Sequence, residues 1–593
     1  MIKNSGPYFI GSADDSSTKS SEVWFNVAMK DVLKVAKLTF KAGPVPGQPP
    51  VTIDCPNVTV LVGPNNAGKS RALREIHAKC ANKEIDKYQV IDSVDLSLPD
   101  REGIAAMMKM FEIATPPGNT TVADHAYFQK PSVKLNEQQL LIHVHTGKWF
   151  EGWASHDFHK SVRDNFVKFF TILLDGRTRF ELTDPKATGS LEEKPQNHLW
   201  ALFLDKDARQ KVRKFTQDAF AKFFVVDPTG MTQFRIRLSK RAPKTEAEEQ
   251  ALDTEARAFH ADADLLSDLG DGVKTSVGLV SAVMSLPDRI LLIDEPEAFL
   301  HPTLSRRVGN VLAQTARDRD ATLVVATHSS DFLLGCMQTA PELRIVRLTH
   351  DFGRATSRSI EPAHIRELMN NPLLRSAHAM RGLFHRGVLV CEADADRAFY
   401  DEVNARLVSV HRGIEDALFL NAQNWQTIPR IALPLRSLGV PAASIMDFDV
   451  LMDNDFAHLW PLISAEAGVL QPLQVRRDEL AKVMANAGRK ECKKLGIEAL
   501  PEANREEAKA LIEEFARYGV FFVTSGELEC WLNGVRGITK IANKTQWLLN
   551  AFTAMGADPR DADYLTPADD DVWSFIDKMK RWIDDPQRFG IPN

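Results

Sequence analysis

Three short runs of β-branched and aliphatic residues stand out in the first two thirds of the chain: Val58 to Val62, Ile290 to Ile293, and Leu323 to Ala326. None alternates with polar residues, so each reads as a strand buried on both faces, the pattern of a parallel sheet. The period then changes to that of a helix. Leu73, Ile76 and Cys80 share one face, as do Leu304, Val308, Val311 and Leu312 behind Pro302. After about residue 380 the pattern restarts, with strands expected at Gly387 to Cys391, Ala443 to Met446 and Val520 to Val523. Helical faces follow the first of these at Phe399, Val403 and Leu407, then at Ile428, Ile431, Ala432, Leu435 and Leu438. Strands alternating with helices predict an α/β chain in two parts, 1–380 and 381–593.

Length agrees, since 593 residues correspond to several structural units. No apolar run approaches the ~18 residues of a bilayer-spanning helix, which argues against a membrane subunit. The polar start, Met1 to Pro7, lacks the apolar stretch of a secretory signal, so a reducing cytoplasm is expected. Cys55, Cys80, Cys336, Cys391, Cys492 and Cys530 form no C-x-x-C pair and read as small buried apolar residues. A net charge of −6 provides no global field for a polyanion. Nucleic-acid contact would therefore need local basic patches, and each acidic cluster must be considered as a metal site.

The first strand passes directly into Gly63, Pro64, Asn65, Asn66, Ala67, Gly68, Lys69 and Ser70. Glycines there let backbone N–H groups cradle phosphates, Lys69 can reach the β and γ oxygens, and Ser70 can place its hydroxyl on Mg2+. The strand Ile290 to Ile293 ends in Asp294 and Glu295, suited to holding Mg2+ and to orienting the attacking water. The strand Leu323 to Ala326 ends in Thr327, His328 and Ser329, which puts a histidine at the same γ-phosphate edge.

Through Asp294 to Pro302 and Thr327 to Ser329, the chain resembles the ABC-type ATPases of the RecF, SMC and OLD group. The resemblance implies a glycine signature contacting the nucleotide of an opposite copy. Its counterpart here is Leu269 to Ser276, with Gly270 and Gly272, and with Lys274 where a glutamine often stands. ATP would then lie between two copies, making a homodimer or larger assembly the active unit. Lys69 and Asp294 are 225 residues apart. An insertion at roughly 100–260 is therefore expected, read as mainly helical and dimerising, with Lys240 to Arg257 as a solvated helix or linker. A switch glutamine falls at Gln138 or Gln139.

The second part carries a different chemistry. Glu392 ends one strand, Asp447 and Asp449 end another, and Glu527 and Glu529 follow a third, while Asp396 opens a helix. In a strand, residues two apart share a face, so Asp447 and Asp449 are expected to point at one spot. Oxygen-only ligands of this kind suit Mg2+ or Mn2+ rather than zinc. Together they resemble the Toprim domain of OLD-family nucleases, over roughly 385–593. The resemblance implies two metals on the glutamate, the D-x-D pair and the G-E-L-E segment, and a late lysine at the scissile phosphate. Lys578 is assigned that role, with Lys580 and Lys544 as alternatives. Where the family usually has glycine after the glutamate, this chain has Ala393 and Asp394. Tyr400, Tyr518 and Tyr564 lack the context of a topoisomerase nucleophile. Arg476, Arg477, Lys482, Arg489, Lys490, Lys493 and Lys494 supply a local basic patch between the acid motifs.

The expectation is an N-terminal ABC/RecF-like P-loop ATPase followed by a Toprim α/β domain. The resemblance implies an ATP-dependent or ATP-regulated DNA endonuclease of anti-phage defence, accompanied in some systems by a helicase, as in Gabija, or by a retron. An ATP-gated scaffold or sensor, and a ribonuclease acting on tRNA or mRNA, remain open alternatives.

Overall fold

The computed structural model describes residues 33–591, except 117–124, 133–139, 146–157, 375–377, 464–466 and positions 191, 352, 373 and 542. Gln138 and Gln139 lie outside the described residues. The first part is organised on a six-stranded sheet: β1 (Val58–Val62), β2 (Thr171–Leu174), β3 (Ile290–Asp294), β4 (Thr322–Ala326), β5 (Arg344–Asp351) and β6 (Arg354–Ile360). Their spatial order is β6-β5-β1-β4-β3-β2, parallel throughout except for the β5–β6 hairpin. Every residue of β1 and β4 is buried, which is why these strands read as unbroken apolar runs.

Helices α1 (Lys69–Cys80), α2 (Asp271–Ser285), α3 (Pro302–Asp318) and α4 (Ser330–Thr339) complete this unit. The α3–α4 contact is unusually close. A Cβ at Gly335 would lie 2.0 Å from the Arg306 carbonyl oxygen, and one at Gly309 would lie 2.4 Å from that of Phe332. Gly335→Ala must therefore push the helices apart, and we expect a loss of roughly 1–3 kcal/mol. A lowered midpoint in thermal unfolding checks this.

The expected insertion holds more helix than strand among the described residues, but it is not a separate helical unit. Residues 100–260 contain an antiparallel sheet of Glu112–Ile113, His125–Gln129 and Leu141–His145. A second antiparallel sheet is built on Phe223–Asp227 and Gln233–Ser239. More importantly, β2 comes from inside this stretch and forms the edge of the ATPase sheet, so the excursion belongs partly to the core. Lys240 to Arg257 is mostly exposed and holds the short helix Glu246–Gln250 and the start of another, Thr254–Ala261, as expected of a solvated segment. Glu248 and Glu249 are the exception, buried and bonded to Arg241 at 2.6 Å and Arg213 at 2.8 Å. Those two charges are paired rather than solvated.

The second part has four parallel strands, β7 (Gly387–Cys391), β8 (Ala417–Asn421), β9 (Ala442–Asp447) and β10 (Val520–Val523), in the order β8-β7-β9-β10. Around them lie α5 (Asp394–Ser409), α6 (Ile428–Ser437), α7 (Arg489–Leu495), α8 (Lys544–Met555) and α9 (Asp571–Asp584). The two parts share one apolar cluster that includes Ile345, Ile360, Leu383, Val388 and Leu435. Buried Arg347 on β5 crosses between them, donating to the carbonyls of His385 at 2.9 Å and Gly439 at 3.0 Å. Five of the cysteines are buried, and Cys530 is partly so. Among the described residues no helix is long and apolar enough to cross a membrane.

Candidate functional site

At the carboxyl end of β1 the chain turns so tightly that its first residue must be glycine. Gly63 has φ +138°, and a Cβ there would lie 2.0 Å from the Leu348 carbonyl oxygen. The loop delivers Lys69 as the first residue of α1, whose opening N–H groups form an anion site. Lys69 Nζ donates to the carbonyls of Gly63 at 2.8 Å and Pro64 at 2.7 Å, folding over the loop. Burial pulls its pKa down to about 8, opposed by Glu295 and Asp294. Ser70 Oγ donates to Asp294 Oδ1 at 3.0 Å, so the two residues expected to share Mg2+ are adjacent. Both are hard oxygen donors, which fits that ion. Burial raises the Asp294 carboxyl above the usual carboxylate range.

Glu295 lies just past β3 in the left-handed region, φ +46°, a costly conformation for glutamate. Its Oε1 is 3.5 Å from His328 Nε2. Burial, and then Lys69, hold the His328 pKa below the ordinary value. Behind them Glu297 Oε1 accepts the His328 backbone N–H at 2.6 Å, and burial raises its carboxyl. A cavity of about 920 Å³ runs from Asn65, Asn66, Gly68, Lys69 and Ser70 to Tyr88 at its far side, roomy enough for a nucleotide. Tyr88 and Arg179 escaped the sequence reading, and Glu297, within the Asp294 to Pro302 motif, was given no role there. Arg179 is buried and donates to the Asp294 carbonyl, yet it comes from the short helix after β2, where no sequence signal pointed.

Gly270 caps α2 with open space around it. Gly272 abuts the Phe299 carbonyl, where a Cβ would approach to 2.8 Å, and Lys274 pairs with Asp271 at 3.6 Å.

In the second part, parallel strands β7 and β9 deliver Glu392 and Asp447, and the loop after β10 delivers Glu527 and Glu529. Glu392 Oε1 accepts the Asp447 backbone N–H at 2.8 Å. Asp396 Oδ2 accepts the Ala393 N–H at 2.9 Å, anchoring the start of α5. Burial raises the carboxyls of Glu392, Asp396, Asp447, Asp449 and Glu529, Glu392 to about 7. Repulsion between Glu392 and Asp447 adds to this.

Two expectations change. Strand β9 ends at Asp447, and Asp449 sits in a 3-10 turn, Phe448 to Met452, because the Phe448 N–H bonds to the Gly526 carbonyl at 2.8 Å. The shared-face argument therefore does not apply, although the charges of Asp447 and Asp449 still interact. The lysine also changes. Lys578 on α9 pairs with Glu513, and Lys580 bonds the His411 carbonyl at 3.3 Å. It is Lys544, at the start of α8, that enters the acid cluster, 3.8 Å from Asp396. Asp396, Asp447, Glu529 and Glu392 together raise its pKa, outweighing its burial.

The donor set fits a hard divalent ion in kind, and among the described residues buried Glu529 Oε2 meets no hydrogen-bond partner. Among the described residues, however, no three such side chains converge at ligating spacing. The reason is local pairing: Asp449 lies 3.6 Å from Arg489 and 3.8 Å from Lys493, and Glu527 lies 2.8 Å from Lys540. From the predicted basic patch, Arg489 and Lys493 thus reach the acids, whereas Arg476 pairs with Glu507 and Arg477 covers the Phe456 ring. Tyr400 is buried, its hydroxyl accepting from Trp531 Nε1 at 3.0 Å, which suits no nucleophile.

Residues 234–335 match the family described as "AAA domain, putative AbiEii toxin, Type IV TA system". That segment includes Gly270, Asp294, Glu295 and His328. Two Phosphonates import ATP-binding proteins, PhnC 1 and PhnC 2, from two strains of Pseudomonas aeruginosa are each 32% identical over 143 residues, 23% of this chain and 50% of theirs. The chain thus spans about half the length of the curated relatives it matches. The SMC head domain from Thermotoga maritima is 16% identical, covering 55% of this chain and 99% of that one, with a TM-score of 0.29, too low to carry an argument. The phosphate loop, the Ser70–Asp294 pair and the matched segment together make the first part of this chain a P-loop ATPase domain.

Proposed function

We infer that the chain is an ATP-regulated endonuclease of the OLD type, hydrolysing DNA phosphodiester bonds at the Glu392–Asp447 cluster. The carrying observation is a set of buried carboxylates at the carboxyl ends of adjacent parallel strands, with Lys544 among them. Ligands bind in this position in open α/β sheets. Burying so many acids together costs stability, and structural needs alone do not call for it. Glu392, Asp396, Asp447, Asp449, Glu527 and Glu529 would hold Mg2+ or Mn2+. Two such ions supply activation of water and neutralisation of the leaving oxygen. Arg489 and Lys493 pair with Asp449, and Lys540 with Glu527, and a phosphate backbone would compete for these cations. Lys544 offers an ammonium donor to the scissile phosphate. At the ATPase end, Lys69 binds phosphate oxygens, while Glu295 orients and deprotonates the attacking water beside His328. Gly270 and Gly272 would face the nucleotide of a second copy, so the working form is a homodimer or larger. The resemblance further suggests anti-phage defence, with a helicase or retron partner.

Purified protein incubated with plasmid, single-stranded DNA and RNA, with Mg2+ or Mn2+ and with or without ATP, tests the reading. DNA cleavage supports it. Cleavage of RNA alone replaces it with a ribonuclease, and cleavage of nothing with an ATP-gated scaffold. Within the cluster, Lys544→Ala should slow nicking about tenfold or more by removing a charge aimed at the phosphate. Lys578→Ala should leave the nicking rate unchanged, because its ammonium is engaged by Glu513.

A further inference from the structure

One hydrogen-bonded pair of the second part lies against the nucleotide end of the first and has no role in either chemistry described above. His385 Nδ1 and Asp416 Oδ1 are 2.9 Å apart. His385 lines a cavity of about 310 Å³ together with Glu297, His328 and Ser329. Asp416 lines a neighbouring cavity of about 580 Å³ together with Pro64, Asn65 and Asn66 of the phosphate loop. Its carboxylate is close enough to raise the pKa of Lys69, and both members of the pair act electrostatically on His328. Asp416 also holds a left-handed backbone, φ +56°, at a modest cost that aspartate tolerates.

The connection onward is covalent and short. His385 and Arg386 lead directly into β7, whose far end delivers Glu392, and Asp416 leads directly into β8. These strands are paired in register from Gly387–Ala417 to Cys391–Asn421. The Arg386 N–H bonds the Asp416 carbonyl at 3.1 Å, tying the starts of both strands together. Five residues of strand span about 17 Å, and a hydrogen-bonded pair of buried strands moves as a rod rather than bending. Arg347 clamps the start of β7 to β5, the neighbour of β1.

We propose that the second part reads the nucleotide directly, through the His385–Asp416 pair held at the γ-phosphate edge, and passes the signal along β7 and β8 to the carboxylate cluster. A triphosphate on Lys69 is a polyanion. It repels the Asp416 carboxylate and favours a donor in the same place, which His385 can provide. The pair must therefore rearrange, and each ligand biases the other site by the same factor. This rests on the reading of the two sites given above.

The test uses the full chain and its Asp416→Asn and His385→Asn variants, each saturated with a non-hydrolysable ATP analogue. Hydrogen exchange is followed in residues 385–392 and 415–421, and nicking is measured with and without ATP. In the unaltered protein the analogue should change exchange in both segments. In either variant that change should vanish, and the ratio of nicking with to without ATP should fall to about one. If one variant fails to fold, as judged by its melting curve, the other carries the test. The proposal is overturned if exchange in these segments ignores the analogue in the unaltered protein, or if both folded variants respond as it does. If the protein cuts no nucleic acid but its exchange responds and the variants' does not, coupling stands and the nuclease reading falls.

Discussion

Replacing Asp447 with asparagine should abolish nucleic-acid cleavage, with nicking slowed at least about a hundredfold, the scale on which metal sites respond even to losses outside their direct ligands. The substitution keeps the shape of the side chain and removes the charge that would hold a cation. Asp447 is 7% exposed and stands at the end of β9 with its N–H on Glu392, so no neighbouring oxygen can replace it without moving a strand. Because the variant relieves the repulsion among Glu392, Asp447 and Asp396, its thermal stability should stay level or rise. A lower midpoint together with lost cleavage would point to misfolding instead. ATP hydrolysis should persist, since Lys69, Asp294 and Glu295 lie on a different sheet. Cleavage at the unaltered rate would remove the carboxylate cluster from the mechanism.

At the other site, Glu295→Gln should lower ATP turnover by roughly 10²–10⁴-fold, the range for loss of a general base, while nucleotide stays bound. Glutamine fills the same space at the end of β3 but cannot accept the water's proton. Lys69→Ala should behave differently and lose binding itself, because its ammonium lies on the phosphate loop, bonded to the Gly63 and Pro64 carbonyls where phosphate oxygens would bind. Stopped turnover with retained binding in one variant, and lost binding in the other, separates the two roles in an equilibrium-binding and phosphate-release assay. If the Glu295→Gln form still nicks DNA in the presence of ATP, then occupancy, not hydrolysis, licenses the cut.

Much of this was legible from the chain because buried parallel strands announce themselves. Glu392, Asp447, Asp294 and His328 each follow a largely apolar run, and the structure finds each at or just past a strand's carboxyl end. What stayed hidden depends on distance in sequence. Strand β2 is an ordinary Thr-Ile-Leu-Leu inside a long excursion, and only its parallel pairing with β3 reveals it as core. Arg179 follows from β2 and was missed with it. Lys544 and Lys578 are equivalent by composition and helical context, and only the packing of α8 onto the acids distinguishes them. Asp449 was misplaced because period-two logic continued one residue past the point where β9 gives way to a turn.

The strand order of the ATPase sheet also bears on synthesis. Strand β1 is central, but its neighbours β4 and β5 emerge about 260 and 280 residues later, the first of them after roughly 13–50 s at common ribosomal rates. Throughout that interval Val58 to Val62, wholly apolar in the finished sheet apart from Thr59, has no partner strand to bury it. The nascent chain must therefore carry a sticky segment for nearly half of its translation, which makes it a natural client for chaperones.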